Sequence, residues 1–266
     1  MMTMERIAEQ YAGTAFAAWL ACACALGLAV AYALDASRAG PAGRARLMAA
    51  LTAFGVVLFA VLAINVVMES RLVAFDNALA ETIARHASSD WLRALSALTV
   101  LGNRDFLIAL GTAVFLVLLW RRRRGDAALW VAGALGAALL NVLLKHIFQR
   151  VRPEHLHGFA HELGWSFPSG HASGAMSVYG LLAYLLAGTA APGWRKVIAM
   201  VAAGLIASIG YSRVILQVHF LSDVIAAFAI SGAWTLLCIR IRESMAPGHV
   251  RPAAVRPGRR TACRRS

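Results

Sequence analysis

Charge is what this chain has least of. Asp, Glu, Lys and Arg make up 15% of its 266 residues, against about 25% in soluble domains. Hydrophobic residues make up 60%, mean hydropathy is +0.65, and no stretch has the composition of a separate soluble block. The low charge excludes an ordinary soluble domain and points to one integral membrane domain. Negative charge is scarcer still: 13 acidic residues stand against 26 basic ones, a formal net charge of +13. The arginines cluster in a few loops and the tail, not along a stripe interleaved with aromatics. That pattern excludes a nucleic-acid partner and reads as topology signals and anionic-lipid contacts. Only four cysteines occur, Cys22, Cys24, Cys238 and Cys263. None has zinc-ligand spacing with histidine and no disulfide framework is implied. No period of about 20–50 residues repeats, which excludes a solenoid or array.

What the chain has in abundance is long apolar runs. The first, 14–34, is about 20 residues and long enough to span a bilayer. Ala31-Tyr32-Ala33 resembles a signal-peptide cleavage site, but Glu5 and Glu9 flank a single Arg6 where a basic leader would be needed. Cleavage would also leave Arg38, Arg44 and Arg46 outside. Further spans are expected at 47–68, from near Thr99 to Trp120, and at 127–148, 170–188, 197–211 and 220–239. Between the second and third, 69–100 is less apolar. Leu72, Phe75, Leu79 and Ile83 fall at helical spacing, and Ser88-Ser89-Asp90 resembles a cap before a second short helix. Those pieces are expected at the membrane surface or on the outer mouth of the bundle. From Arg240 the chain is Arg, Pro, Gly and Ala with almost no large apolar residue, too little to fold alone.

Seven spans put the basic loops 35–46, 121–126 and 189–196 and the tail on one side. The positive-inside bias makes that side cytoplasmic and the amino terminus external. The loop 149–168 and the bend 214–219 then share the outer face.

Three stretches at that face carry chemistry. Lys145 closes the fourth span, and Arg152-Pro153 follows seven residues on, two turns along one face if the helix persists. Phe167-Pro168-Ser169-Gly170-His171 opens the fifth span. Ser169 is a natural N-cap, the free N–H groups and positive dipole end suit an anion, and Gly170 lets a ligand come close. Ser212-Arg213 and then His219 and Asp223 bracket the last bend. Four residues apart on a helix, Asp223 can accept from one imidazole nitrogen and leave the other free. Three fixed cations gathered at one face call for an anion, and a phosphoryl group in transfer is the natural guest.

Lysine, six residues, Arg-Pro; then Pro-Ser-Gly-His; then Ser-Arg, five residues, histidine, three residues, aspartate: in this order and spacing the chain resembles the type-2 phosphatidic acid phosphatase superfamily, which includes vanadium-dependent haloperoxidases. The resemblance covers roughly residues 47 to 240. It implies an all-α polytopic transmembrane bundle, a six-helix phosphatase core over 47–240. An extra helix and loop lie in 1–46 and a disordered basic cytoplasmic tail in 241–266. By the same resemblance His219 would be the nucleophile, forming a phosphohistidine with Asp223 orienting its ring. His171 would be the general acid and then the base. Lys145, Arg152, Arg213 and the N–H groups of Ser169 and Gly170 would hold the phosphate oxygens. No metal and no cofactor are implied, in keeping with the lack of a carboxylate cluster suited to magnesium. Gln217 stands where many members have glycine.

The expected activity is removal of phosphate from a lipid phosphate or pyrophosphate of the undecaprenyl pyrophosphate, phosphatidylglycerol phosphate or phosphatidate class. It would occur on the outer face of a bacterial inner membrane. Transfer to another lipid, a haloperoxidase and a lipid-phosphate transporter without turnover are the alternatives. The small outer loops and seven spans oppose the haloperoxidase. His146, His155, His157 and His161 are expected at the surface or as gating residues. Trp165 and Phe167 are expected at the interface or a lipid entrance, and Glu154 and Glu162 as solvated loop charges.

Overall fold

The computed structural model describes residues 4–33, 36–154, 158 and 162–245. His155, His157, His161, Cys263 and the tail beyond 245 lie outside the described residues. The described chain forms α1 (Met4–Ala33), α2 (Ala36–Val67), α3 (Arg71–His86), α4 (Ser89–Thr99), a 3₁₀ turn (Val100–Gly102), α5 (Arg104–Trp120), α6 (Arg124–Phe148), α7 (Gly170–Ala187), α8 (Pro192–Ile215) and α9 (Leu221–Ser244).

Among the described residues, six segments are long and apolar enough to cross a membrane: Gly13–Ala33, Gly40–Val67, Ser89–Trp120, Arg124–Phe148, Pro192–Ile215 and Leu221–Ser244. The third begins well before Thr99, because α4 runs through the 3₁₀ turn into α5. Ser88 does cap α4, accepting from Trp91 N. The expected fifth span is the helix α7, which is not among the six. Its His171, Ser173 and Ser177 dilute the apolar residues, and it lies inside: Ala172, Ser173, Ala175, Ser177, Tyr179 and Leu181 are all buried. It packs against α6, α8 and α9, so its small polar residues meet protein, not lipid.

α2 also differs from expectation. It takes in most of the basic loop, with a break at Gly40 (φ 65°, ψ 168°) followed by Pro41. Proline is tolerated in the first turn after such a break, so the apolar helix starts near 41 instead of 47. α2 lies along α9 and α1 along α8. Close approach needs small residues: a Cβ on Gly55 would stand 2.7 Å from the Ala229 carbonyl. α1 is held by polar contact too, Trp19 Nε1 donating to Ala207 O at 2.9 Å.

The antiparallel run α6–α9 brings the C-terminus of α6, the N-terminus of α7, the C-terminus of α8 and the N-terminus of α9 to one end. α3 and the start of α5 close over the same end. Phe167, expected at a lipid entrance, is instead fully buried. Its ring packs on Phe59 (5.7 Å) and Phe148 (5.1 Å), tying the loop before α7 to α2 and α6.

Candidate active site

α6 stops at Phe148 because Gln149 turns left-handed (φ 45°). Lys145 and Arg152 therefore do not share a helix face. Lys145 Nζ donates to the Trp165 carbonyl and, at 3.4 Å, to that of Ser166. Arg152 comes in from the loop. It donates from Nη1 to Val218 O (2.7 Å) and from Nη2 to Trp165 O (3.2 Å), so both cations meet at the strand of chain before Ser166. Val151, Arg152, Gly164 and Trp165 line a shallow open depression beside it.

Ser169 is the N-cap of α7, its Oγ accepting from Ala172 N at 3.5 Å. Its own N–H donates to Asp223 O (3.1 Å), which locks the start of α7 onto the first turn of α9 and leaves Ser169 N engaged. Asn141, buried on α6, holds the same corner by donating to Pro168 O (3.2 Å) and Ser173 Oγ (2.9 Å). A Cβ at Gly170 would be 3.6 Å from Asn141 Oδ1 and 4.0 Å from Lys145 Cε. Lys145 thus lies beside the helix end whose first N–H groups have no intrahelical acceptor.

The bend after α8 turns on Gln217, whose φ of 56° is a left-handed conformation that glycine adopts at less cost. His219 follows, 2% exposed. Its Nε2 is 3.1 Å from Arg152 Nη1. A guanidinium only donates, so Nε2 carries the lone pair and the proton resides on Nδ1. Nδ1 faces Asp223 Oδ2 at 3.4 Å and Ser166 Oγ at 3.3 Å. Asp223 Oδ2 also accepts from Phe220 N (3.0 Å) and from the Ser166 hydroxyl. Burial, chiefly, lowers the His219 pKa to about 3; the Asp223 contact opposes this, and Arg152 and Lys145 add to it. The imidazole is therefore neutral across the physiological range, and Lys145 is near enough to be felt. Burial also lowers Arg152 from its ordinary value, with Glu162 and Asp223 opposing.

Arg213 is 1% exposed and donates to Thr99 Oγ1 (2.8 Å) and Glu162 Oε1 (2.5 Å), while its Nε has no partner among the described residues. Glu162 is therefore not a solvated loop charge: its carboxylate faces Arg213 and lies 3.5 Å from His171 Nδ1. Glu154 and His146 are exposed, as expected. His171 Nε2 lies 2.7 Å from Asn103 Oδ1. Asn103 sits at the N-cap of α5 but makes no capping bond, having turned its side chain to His171. Gly102 is pressed against the same ring; an added Cβ would meet Ile209 Cγ2 at 2.6 Å and His171 Cδ2 at 3.1 Å.

Sequence reasoning missed Asn103, Thr99, Asn141, Ser166, Arg150 and Asp76. Arg150 Nη1 donates to Asp223 Oδ1 (2.7 Å) and Nη2 to Asp76 Oδ2 (2.8 Å). Arg150 lay inside a motif's six-residue spacer and Ser166 directly before Phe167, but neither is a motif residue.

A neutral imidazole backed by a carboxylate, with Arg152 at its free nitrogen and Lys145 near enough to be felt, is an arrangement suited to phosphoryl transfer inside a helical membrane bundle. The PAP2 superfamily model matches residues 126–245. Phosphatidylglycerophosphatase B of Bacillus subtilis is 33% identical over 143 residues, 53% of this chain and 70% of that one. Lipid A 1-phosphatase of Rhizobium etli is 29% identical over 175 residues, 60% and 68% of the two chains. The crystal structure of the first transmembrane PAP2-type phosphatidylglycerolphosphate phosphatase from Bacillus subtilis superposes with a TM-score of 0.62. It is 29% identical and covers 75% of this chain and 97% of that one. The chain belongs to the PAP2 superfamily; it is a membrane lipid phosphatase, a phosphoric monoester hydrolase.

Proposed function

We propose that the chain hydrolyses the phosphomonoester of a glycerophospholipid headgroup, of the phosphatidylglycerol phosphate class, through a phosphohistidine on His219. The observation that carries the reading is the His219 tautomer: Nδ1–H turned to Asp223, and the Nε2 lone pair facing Arg152 at 3.1 Å.

In the first step Nε2 attacks phosphorus, the bond from phosphorus to the lipid oxygen breaks, and His171, which takes up a proton when the phosphate anion binds beside it, gives that proton to the leaving oxygen. In the second, His171 takes a proton from water, whose oxygen attacks phosphorus; the N–P bond breaks and inorganic phosphate leaves. Arg152, Lys145, Arg213 and the Gly170 N–H stabilise the oxygens as charge moves onto them. Ser169, with its N–H engaged, contributes as the cap that sets the helix end. Glu162 must release Arg213 when phosphate arrives. No step calls for a metal or cofactor.

The headgroup class is supported by the named phosphatidylglycerophosphatase relatives. The runner-up substrate is the 1-phosphate of a lipid A, supported by the Rhizobium relative. The site end of the bundle would face outward: Arg121 to Arg124, Arg195 and Lys196 all belong to the other end, and basic loops favour the cytoplasm. A carboxyl-terminal reporter is expected inside; an external signal would reverse the orientation. The reaction is tested by phosphate release from phosphatidylglycerol phosphate, lipid A and undecaprenyl pyrophosphate in detergent. Wild type is expected to release phosphate, fastest from the first, and His219→Ala to release essentially none. Near-normal turnover by His219→Ala overturns the nucleophile.

A further inference from the structure

Asp223 orients His219, but Asp223 is itself held from its other oxygen. Arg150 Nη1 donates to Asp223 Oδ1 and to Ser222 Oγ, each at 2.7 Å, and its Nη2 to Asp76 Oδ2 at 2.8 Å. Asp76 also accepts from Ser222 N (3.3 Å) and from the Ser222 hydroxyl. The guanidinium lies over the Phe220 ring, 4.2 Å from its centroid. The side chains are 8%, 1% and 0% exposed for Arg150, Asp76 and Asp223.

Burying three ions is costly, and apolar replacements of such triads are often at least as stable. Stability alone is then a weak reason for this arrangement. Its geometry supplies a better one. With Oδ1 pinned by Arg150, the carboxylate cannot rotate, and Oδ2 is the oxygen that Nδ1 of His219 meets. Asp76 takes the second arm of the fork and shares its charge. Asp223 is thereby left with more negative charge to stabilise the positive imidazole formed when Nε2 bonds to phosphorus. α3 carries Asp76 and is tied down a second time, by Gln217 Nε2 donating to Ala80 O at 2.7 Å. A surface-type amphipathic helix is thus anchored to the bend that holds the nucleophile.

We infer that Asp76 is a positioning residue for phosphoryl transfer, acting through Arg150 on Asp223 and so on the His219 ring. This rests on the reading of His219 as nucleophile. Because Asp76 bonds to Arg150 and Ser222 and, among the described residues, makes no ion pair with Lys145, Arg152 or Arg213, its loss acts on the chemical step and not on binding.

Asp76→Asn keeps the size and the acceptor for Arg150 and removes the charge. The expected result is a kcat lower by about 10–100-fold, the usual effect of losing a supporting partner. KM and vanadate inhibition are expected within about twofold of wild type, since an interaction absent from the ground state leaves them alone. A kcat equal to wild type, or a loss carried wholly by KM, overturns the inference. Where Asp76→Asn does not accumulate, Ser222→Ala, which trims the same network without removing a charge, is measured instead. A several-fold lower kcat at unchanged KM supports the inference, and an unchanged kcat overturns it. His219→Ala is assayed alongside: turnover by that variant sinks the nucleophile, whereas an inactive His219→Ala with a fully active Asp76→Asn sinks Asp76 alone.

Discussion

At one end of the bundle Arg150 lies between Asp76 and Asp223, with no side chain more than 8% exposed. At the other, Arg44 meets Glu243 through a two-pronged contact of 2.8 and 3.1 Å, with side chains 21% and 28% exposed. There Asp126 also sits between Arg123 (2.7 Å) and Arg242 (3.3 Å). The residue types match and the distances match; burial differs. Exposed pairs contribute at most about 1 kcal/mol and are replaceable. Buried ones oblige every partner to stay, because one ion left alone is strongly unfavourable. The first end therefore holds geometry, and the second trims helix ends and marks a membrane face.

Changes at the first end should be large and specific to catalysis. His219→Ala is expected to lower kcat by at least about 10³-fold, the scale on which losing a nucleophile acts, measured as phosphate release. Arg213→Ala is expected to cost about 10²–10³-fold in kcat/KM, comparable to removing a transition-state donor, and to weaken vanadate inhibition; an unchanged rate and inhibition would take Arg213 out of the site. Asn103→Ala, which frees the His171 ring, should lower kcat by about 10-fold or more. That effect should shrink with p-nitrophenyl phosphate, whose leaving group hardly needs the acid, and equal losses with both substrates would detach Asn103 from proton transfer. Acid should matter little to the nucleophile. With the His219 pKa near 3, protonation removes it only as pH falls toward that value. After correction for the substrate's own ionisation, kcat/KM is expected to have no acid limb near 6.5 from His219. A limb near 6.5 that persisted in His171→Ala would mean an ordinary exposed imidazole at position 219. Smallest of all, Glu243→Gln at the opposite end should leave kcat/KM within about twofold and stability within about 1 kcal/mol. A catalytic effect there as large as that of Asn103→Ala would erase the contrast between the two ends.

The residues proposed to carry the chemistry stand at intervals that a single small anion would constrain, and the fold brings Lys145, Arg152, Gly170, His171, Arg213, His219 and Asp223 to one end of the bundle. What supports them was not. Asp76 acts on Asp223 across 147 positions of sequence through an arginine that resembles spacer, and no periodicity reports a contact of that range. Asn103 looks like an ordinary cap, and its lost capping bond is visible only once His171 is beside it. Helical periodicity misled between Lys145 and Arg152, since Gln149 takes a left-handed conformation without a glycine to announce it. Glu162 and Phe167 were misassigned for the opposite reason: both sit in a loop that folds inward. The polar character of a loop says little about which of its side chains point to the site. Spans were read well where apolar length dominates. The span expected at 170–188 is the helix α7, whose serines and glycines serve its packing within the bundle.

The most direct measurement traps the intermediate. His171→Ala is mixed with p-nitrophenyl phosphate, so that the first step proceeds while water activation is slowed. The protein is then denatured in alkali, digested and analysed by mass spectrometry. The expected result is one phosphoryl group on the peptide carrying His219. Phosphate on another residue, or steady nitrophenol release with no phosphorylated peptide at any time, would contradict attack by that imidazole.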